Sequence, residues 1–247
     1  GASSSTEICI FCHTPHTATK KVALWNRYDS TTTYTPYKST TIKATIGQPT
    51  GASKLCLGCH DGTVALGMVR SRFTQISMKG ASAKISAGRG NLGTDLSDDH
   101  PISFKYDAAL VSTDGQLRPP PTSGRVHLDG NNELQCTSCH DPHTSQNPNF
   151  LVMNNTASAL CVTCHNLRHW RESSHGGSAK TWNGSAPNPW PHTTEKSVVA
   201  NGCENCHDPH GAGGKQRLLN YAAEEQNCYA CHNGNVAAKN IMVEFNK

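Results

Sequence analysis

Every cysteine of this chain belongs to one short pattern, C-x-x-C-H, and the pattern occurs six times. The units are Cys9–Cys12–His13, Cys56–Cys59–His60, Cys136–Cys139–His140, Cys161–Cys164–His165, Cys203–Cys206–His207 and Cys228–Cys231–His232. Zinc sites also draw on C-x-x-C pairs, and disulfide frameworks on paired cysteines. Neither gives a reason for a histidine directly after the second cysteine in all six cases. Covalent haem attachment does: two thiols add to the porphyrin vinyl groups, and the next residue is placed to bind the iron. The pattern predicts six haems c, held by thioethers to the twelve cysteines. It predicts His13, His60, His140, His165, His207 and His232 as proximal ligands.

The rest of the composition agrees with a fold organised by its cofactors. Of 247 residues only 35% are hydrophobic and 6% aromatic, with 21 Gly and 13 Pro. Six motifs leave about 41 residues apiece, too few for a layered fold around one apolar core. The expected class is a multihaem cytochrome c: mostly irregular loops, a few short helices and at most a small hairpin, wrapped around a close-packed haem chain. The formal charge of +4 would become about −8 once two propionates per haem are counted, so the basic residues read as counter-charges. No Lys/Arg cluster with interleaved aromatics points to nucleic acid, and no run of 18 apolar residues is present to span a membrane. Twelve cysteines fit an exported protein. The opening Gly1-Ala2-Ser3-Ser4-Ser5-Thr6 reads as the end left by signal removal, with no cysteine at residue 1 for a lipid anchor.

Eight further histidines are available as distal ligands: His16, His100, His127, His143, His169, His175, His192 and His210. Six irons need six of them, so every haem can be bis-histidine. A haem with both axial positions filled exchanges electrons and offers no site for a substrate, which favours a conduit over an enzyme. Three of the eight sit in a recurring frame, His13-Thr14-Pro15-His16, His140-Asp141-Pro142-His143 and His207-Asp208-Pro209-His210. One haem cannot easily take both histidines of so short a segment, and the proline fixes the backbone between them. The first therefore serves its own haem and the second a neighbour, or else the second bonds a propionate. His100, His175 and His192, in loops between motifs, complete the distal set. His127 and His169 are left over, and Met68, Met78, Met153 and Met242 read as packing residues.

The motifs are also spaced regularly. Cys136 to Cys161 and Cys203 to Cys228 are equal intervals, and both spans read C-x-x-C-H-D-P-H and then C-x-x-C-H-N. An apolar pair follows at the same offset, Leu151-Val152 and Leu218-Leu219, marking a duplicated two-haem unit. The pair starting at Cys9 and Cys56 keeps the beginning of the pattern but is stretched. Its extra length, Val22–Trp25 and the Ser/Thr/Tyr-rich run 30–45, permits a short hairpin. Candidate helices are Ala157–Cys164 and Tyr221–Cys231. Arg118-Pro119-Pro120-Pro121 reads as an extended connector, with a soft boundary at 118–125. The expected parts are 1–120, with haems 1 and 2 and a long loop, and 121–247, with the two-haem units 136–165 and 203–232. Together they form one continuous haem-packed unit.

These motifs resemble the doubled-CxxCH multihaem cytochromes. Cys9-Ile10-Phe11-Cys12-His13-Thr14-Pro15-His16, Cys56-Leu57-Gly58-Cys59-His60-Asp61-Gly62-Thr63 and Asp99-His100-Pro101 are similar to the extracellular S- and E-type outer-surface cytochromes of metal-reducing bacteria, which polymerise into nanowires. The resemblance implies bis-His ligation throughout, a homopolymeric filament at the cell surface, and His16 as ligand to a haem in the next subunit. The chain departs from those relatives in spacing and in fitting six haems into few residues. A soluble periplasmic shuttle docking with other redox proteins, and a multihaem reductase with one open haem, are the competing readings. The lysine-bearing C-x-x-C-K motif of pentahaem nitrite reductases does not occur.

Overall fold

The computed structural model describes residues 2–18, 24–28, 30–80, 83–185 and 187–245. Regular structure among them is short, and part of it falls on the motifs. The ten-residue helix α1 (Gly51–His60) is the longest, and it ends on the second motif. Helices α2 (Ala108–Asp114), α3 (Cys136–Cys139), α4 (Cys161–Cys164), α5 (Ser174–Gly177), α6 (Val198–Asn201), α7 (Glu224–Tyr229) and α8 (Ile241–Phe245) follow. α3 and α4 are the C-x-x-C segments themselves, wound into one turn.

The reason is local. The histidine N–H returns to the carbonyl of the first cysteine in five motifs: His13 to Cys9 (2.8 Å), His140 to Cys136 (2.9 Å), His165 to Cys161 (2.9 Å), His207 to Cys203 (3.1 Å) and His232 to Cys228 (2.9 Å). A single helical turn puts positions i and i+3 on one side, which is what two thiols reaching one porphyrin edge require.

Two compact units emerge, one formed by 1–35 with 48–96, the other by 36–47 with 97–247. The first holds two motifs and the second four. The connector at 118–125 lies inside the second unit, where Arg118 donates its backbone N–H to the Cys164 carbonyl (2.7 Å) and Nε to the Val162 carbonyl (2.8 Å).

The two-stranded sheet does not lie where the Ser/Thr/Tyr run predicted it. Strands β1 (Phe104–Lys105) and β2 (Glu133–Leu134) pair antiparallel, Phe104 opposite Leu134. Val22 and Ala23 fall outside the described residues, and 30–45 contributes no strand. That run is committed elsewhere. Tyr34 donates N–H to Gln48 Oε1 and its hydroxyl to Asp61 Oδ2, and Pro36 removes a ladder donor. Beyond it, Tyr37 and Ile42 pack with Ala212 and Leu218. Ala44 and Ile46 join Phe104, Tyr106 and Leu134.

The helix expected over 157–164 is shortened to α4, preceded by a 3-10 turn at Thr156–Ser158 in which Ala157 and Ser158 take left-handed φ of 56° and 57°. Ser158 adopts it to bury its hydroxyl on the Asn201 carbonyl (3.1 Å) and the Cys203 N–H (2.7 Å). In 221–231 only α7 is α-helical. Asn227 clasps Tyr221 through its N–H and carbonyl and holds that end of the segment out of the helix.

Apolar clusters are small, as the composition predicts. One centres on Phe104, Tyr106 and Leu134 with Ile102, Leu110, Val111 and Leu117 around it. Among the described residues the fold is loops with short helices and one small strand pair, the class expected from the sequence. No helix among the described residues is long and apolar enough to cross a membrane.

Candidate haem-binding motifs and their facing histidines

The first motif of each pair is built the same way three times. After the cysteine turn the chain reverses and pairs back on the histidine: His13 bridges Trp25, His140 bridges Leu151 and His207 bridges Leu219, all antiparallel. The residue after each histidine donates its N–H across the reversal, Thr14 to Leu24, Asp141 to Phe150 and Asp208 to Leu218, at 2.8–2.9 Å. The returning strand donates to the second cysteine: Asn26 to Cys12, Val152 to Cys139 and Asn220 to Cys206, at 2.8–2.9 Å. Each return passes through left-handed backbone, at Leu24, at Asn149–Phe150 and at Arg217–Leu218.

This corrects one equivalence. Equal sequence offset aligns Leu151 with Leu218, whereas the bridges align Leu151 with Leu219 and Trp25. The loop after Asp208 is one residue longer than the loop after Asp141, and a one-residue slip exchanges the faces of a strand.

The second cysteines of each pair are neighbours. Burial raises the Cys59 pKa, Arg27 opposes the rise, and the charge of Cys12 adds to it. Burial pushes Cys139 up to about 12, with Cys164 the next cause. It pushes Cys231 up to about 11, with Cys206 next. The long first pair therefore repeats the electrostatic proximity of the two compact pairs, with Cys12 near enough to Cys59 to raise its pKa. Between pairs, Cys161 and Cys203 share a hydrogen bond that raises the first and lowers the second.

The histidines meet ring to ring. His100 faces His165 with centroids 6.2 Å apart, His140 faces His210 at 6.2 Å, and His175 faces His232 at 6.0 Å. Imidazoles joined to one ion from opposite sides by bonds of about 2.0 Å would hold their centroids about 6 Å apart. Ring nitrogens are disposed to match. A carbonyl only accepts, so Nδ1 carries the proton where it meets one: His60 on Gly90 (2.6 Å), His100 on Pro101 (3.0 Å), His140 on Asn149 (2.9 Å) and His207 on Arg217 (2.8 Å). The Nε2 lone pair is then left for a metal, the arrangement that metal-bound histidines adopt. Burial lowers the pKa of His165 and of His207 and takes that of His100 down to about 4. Neutral, ligand-competent imidazole is favoured at all three.

Each facing pair joins one motif histidine to one from outside that motif, and His210 is the second histidine of its frame. The other two frame histidines, His16 and His143, are exposed. His143 is turned to Asp141 at 3.2 Å. His192 meets the Glu204 carbonyl through Nε2 at 2.9 Å, so that nitrogen is the donor and Nδ1 is the one left for a metal. His127 and His169 are exposed and bonded locally, to the Arg125 carbonyl and to Glu172. His13 stands edge-on to Trp25 at 5.9 Å.

Two segments, 129–168 and 196–237, match the doubled CXXCH motif family. The chain is a multihaem c-type cytochrome. No curated protein matches it. The matched segments are about a third of the cytochrome and hold its two compact pairs, while the stretched first pair lies outside them and shares their hairpin and cysteine proximity.

Three features of the cytochrome's sites had no sequence signal. Asp99 accepts from His210 Nδ1 at 2.9 Å, although nothing in the sequence links residues so far apart. Arg27, 2% exposed, bonds the carbonyls of Leu66 and Ala65. Trp190, 2% exposed, lies beside Cys231. Histidines facing at one-ion spacing, Nδ1 protons on carbonyls and thiols paired by one turn all fit haem c.

Proposed function

We propose that this cytochrome binds six haems c with bis-histidine ligation and conducts electrons, as the repeating subunit of an extracellular filament that delivers them to external acceptors. The observation that carries the ligation is the trio of facing rings at 6.0–6.2 Å. In it His165, His140 and His232 act as proximal ligands opposite His100, His210 and His175. Haem iron with both axial positions filled supplies one-electron exchange without a substrate position, so no residue is assigned a catalytic role. Cys139 and Cys164, close enough to raise the Cys139 pKa, would attach two haems from neighbouring turns.

Two observations support assembly. The second histidine of one frame, His210, faces the ring of another motif, so the exposed His16 and His143 in equivalent frames suit ligation outside their own motif. The first unit holds three histidines, His13, His16 and His60, one fewer than two bis-histidine irons need. Its set must be completed from outside, and a second copy of the chain supplies that in a polymer.

Mass spectrometry of the mature protein should give six haems, and the oxidised spectrum should be low-spin throughout. Fewer haems, or carbon monoxide binding to the reduced protein, would sink the ligation. Electron microscopy of the secreted protein should show filaments of regular repeat, and a His16→Ala variant should yield particles. Small uniform particles from the wild type would leave a soluble periplasmic shuttle instead.

A further inference from the structure

The distal imidazoles facing His165 and His140 come from one place. Chain 98–101 crosses 209–212 antiparallel: Asp99 bridges His210, His100 N–H meets the Pro209 carbonyl (2.8 Å), and Gly211 and Ala212 donate to the Asp98 carbonyl (3.1 and 2.9 Å). One strand of the crossing presents His100 to His165, and the other presents His210 to His140. The two rings are nevertheless held differently. His100 gives its Nδ1 proton to a backbone carbonyl at 3.0 Å, and His140 does the same at 2.9 Å. His210 gives its proton to the Asp99 carboxylate at 2.9 Å, and the Asp99 side chain is 7% exposed.

The difference has a chemical consequence. A carboxylate draws the Nδ1 proton more strongly than a carbonyl and places electron density on the ring, which makes Nε2 the stronger donor. A stronger axial donor favours the ferric state and lowers the reduction potential. Burial and the backbone bridge keep the carboxylate in place and poorly solvated, so its charge is felt at nearly full strength.

We propose that Asp99 is a positioning residue that strengthens His210 as a ligand and holds the haem between His140 and His210 at a lower potential than the haem between His100 and His165. The inference rests on the ligation proposed above. The two haems of one doubled motif thereby differ in potential although each is held by C-x-x-C-H and two imidazoles, and an electron shared between them resides on the His100 and His165 side.

The test is a spectroelectrochemical titration of the holoprotein carrying Asp99→Asn, which keeps the size of the side chain and an acceptor oxygen. One haem should move to higher potential. At its former midpoint its reduced-to-oxidised ratio should rise about tenfold, which for one electron is about 59 mV. The haem count should stay unchanged and every iron low-spin. A titration superimposable on the wild type overturns the proposal. So does a high-spin band in the variant, which would make Asp99 a structural support only. His210→Ala tests the ligation separately: it should turn one haem high-spin, and if all irons remain low-spin the ligation fails whatever Asp99 does. On the His210→Ala background Asp99→Asn should shift nothing further.

Discussion

A Cβ added to Gly202 would lie 2.5 Å from the Ser158 hydroxyl and 2.9 Å from the Ala157 carbonyl carbon. That hydroxyl bonds both residues flanking Gly202, accepting from the Cys203 N–H and donating to the Asn201 carbonyl. Ser158 and Asn201 are fully buried, and the contact holds the motif at Cys161 against the motif at Cys203. Gly202 itself has φ +58°, where an L side chain is strained. Gly202→Ala should therefore destabilise the protein by about 2–3 kcal/mol through strain and clash together. A thermal melt followed by far-UV circular dichroism reads the change, and an unaltered midpoint would mean the two turns are not locked together here.

Ser158→Ala removes the hydroxyl and leaves the Cys203 N–H and Asn201 carbonyl short of a partner in a buried place. The expected loss is about 1–3 kcal/mol. Tyr106→Phe should behave alike. Its hydroxyl donates to the Arg118 carbonyl at 2.7 Å and also reaches the Cys164 carbonyl at 3.2 Å, and burial raises its pKa well above the ordinary phenol value. Denaturant titration of each variant gives the number; a loss below about 0.5 kcal/mol would show that water replaces the hydroxyl.

Single alanine substitutions separate ligands from bystanders. His100→Ala and His175→Ala should each turn one haem high-spin, visible in the electron paramagnetic resonance spectrum of the oxidised protein. His127→Ala and His169→Ala, at exposed and locally bonded rings, should leave that spectrum unchanged. A high-spin signal from either of the latter would reassign a distal ligand.

His100 carries a pH signature. Burial, reinforced by His165 and His210, lowers its pKa to about 4 from the ordinary imidazole value of about 6.5. A folded-state pKa below the unfolded one means that the unfolded chain binds more protons between about pH 4 and pH 6.5. Stability contributed by neutral His100 is therefore complete above about pH 6.5 and declines as the pH falls through that window. The Nε2 lone pair stays available down to the lower limit. The low-spin spectrum of the iron facing His100 should persist on acidification to about pH 4, and conversion near pH 6.5 would contradict the lowered pKa.

The chemistry of the chain was legible in its sequence because C-x-x-C-H carries its meaning locally: one turn sets two thiols and one imidazole. Loop-rich architecture followed from the small apolar share. The first pair was readable only by its opening motif, since its equivalence to the others rests on the His13–Trp25 bridge, formed across a loop of different length. The hairpin expected in 30–45 did not form because Tyr34 is tied to Gln48 and Asp61, and Tyr37 and Ile42 pack on Leu218. Propensity could not see those partners. Which nitrogen His192 offers was equally hidden, because it depends on the position of the Glu204 carbonyl. Asp99 was invisible for the same reason: its partner lies 111 residues away.

That separation has a bearing on how the protein is made. A chain that emerges from its N-terminus delivers the crossing strand 98–101 early and the strand 209–212 late. On the proposed ligation, the haem attached at Cys161 and Cys164 finds its second imidazole, His100, already synthesised. The haem attached at Cys136 and Cys139 waits for His210, which follows the next two haem motifs. Were haem attached as the chain emerges, that iron would keep an open coordination position until His210 arrived.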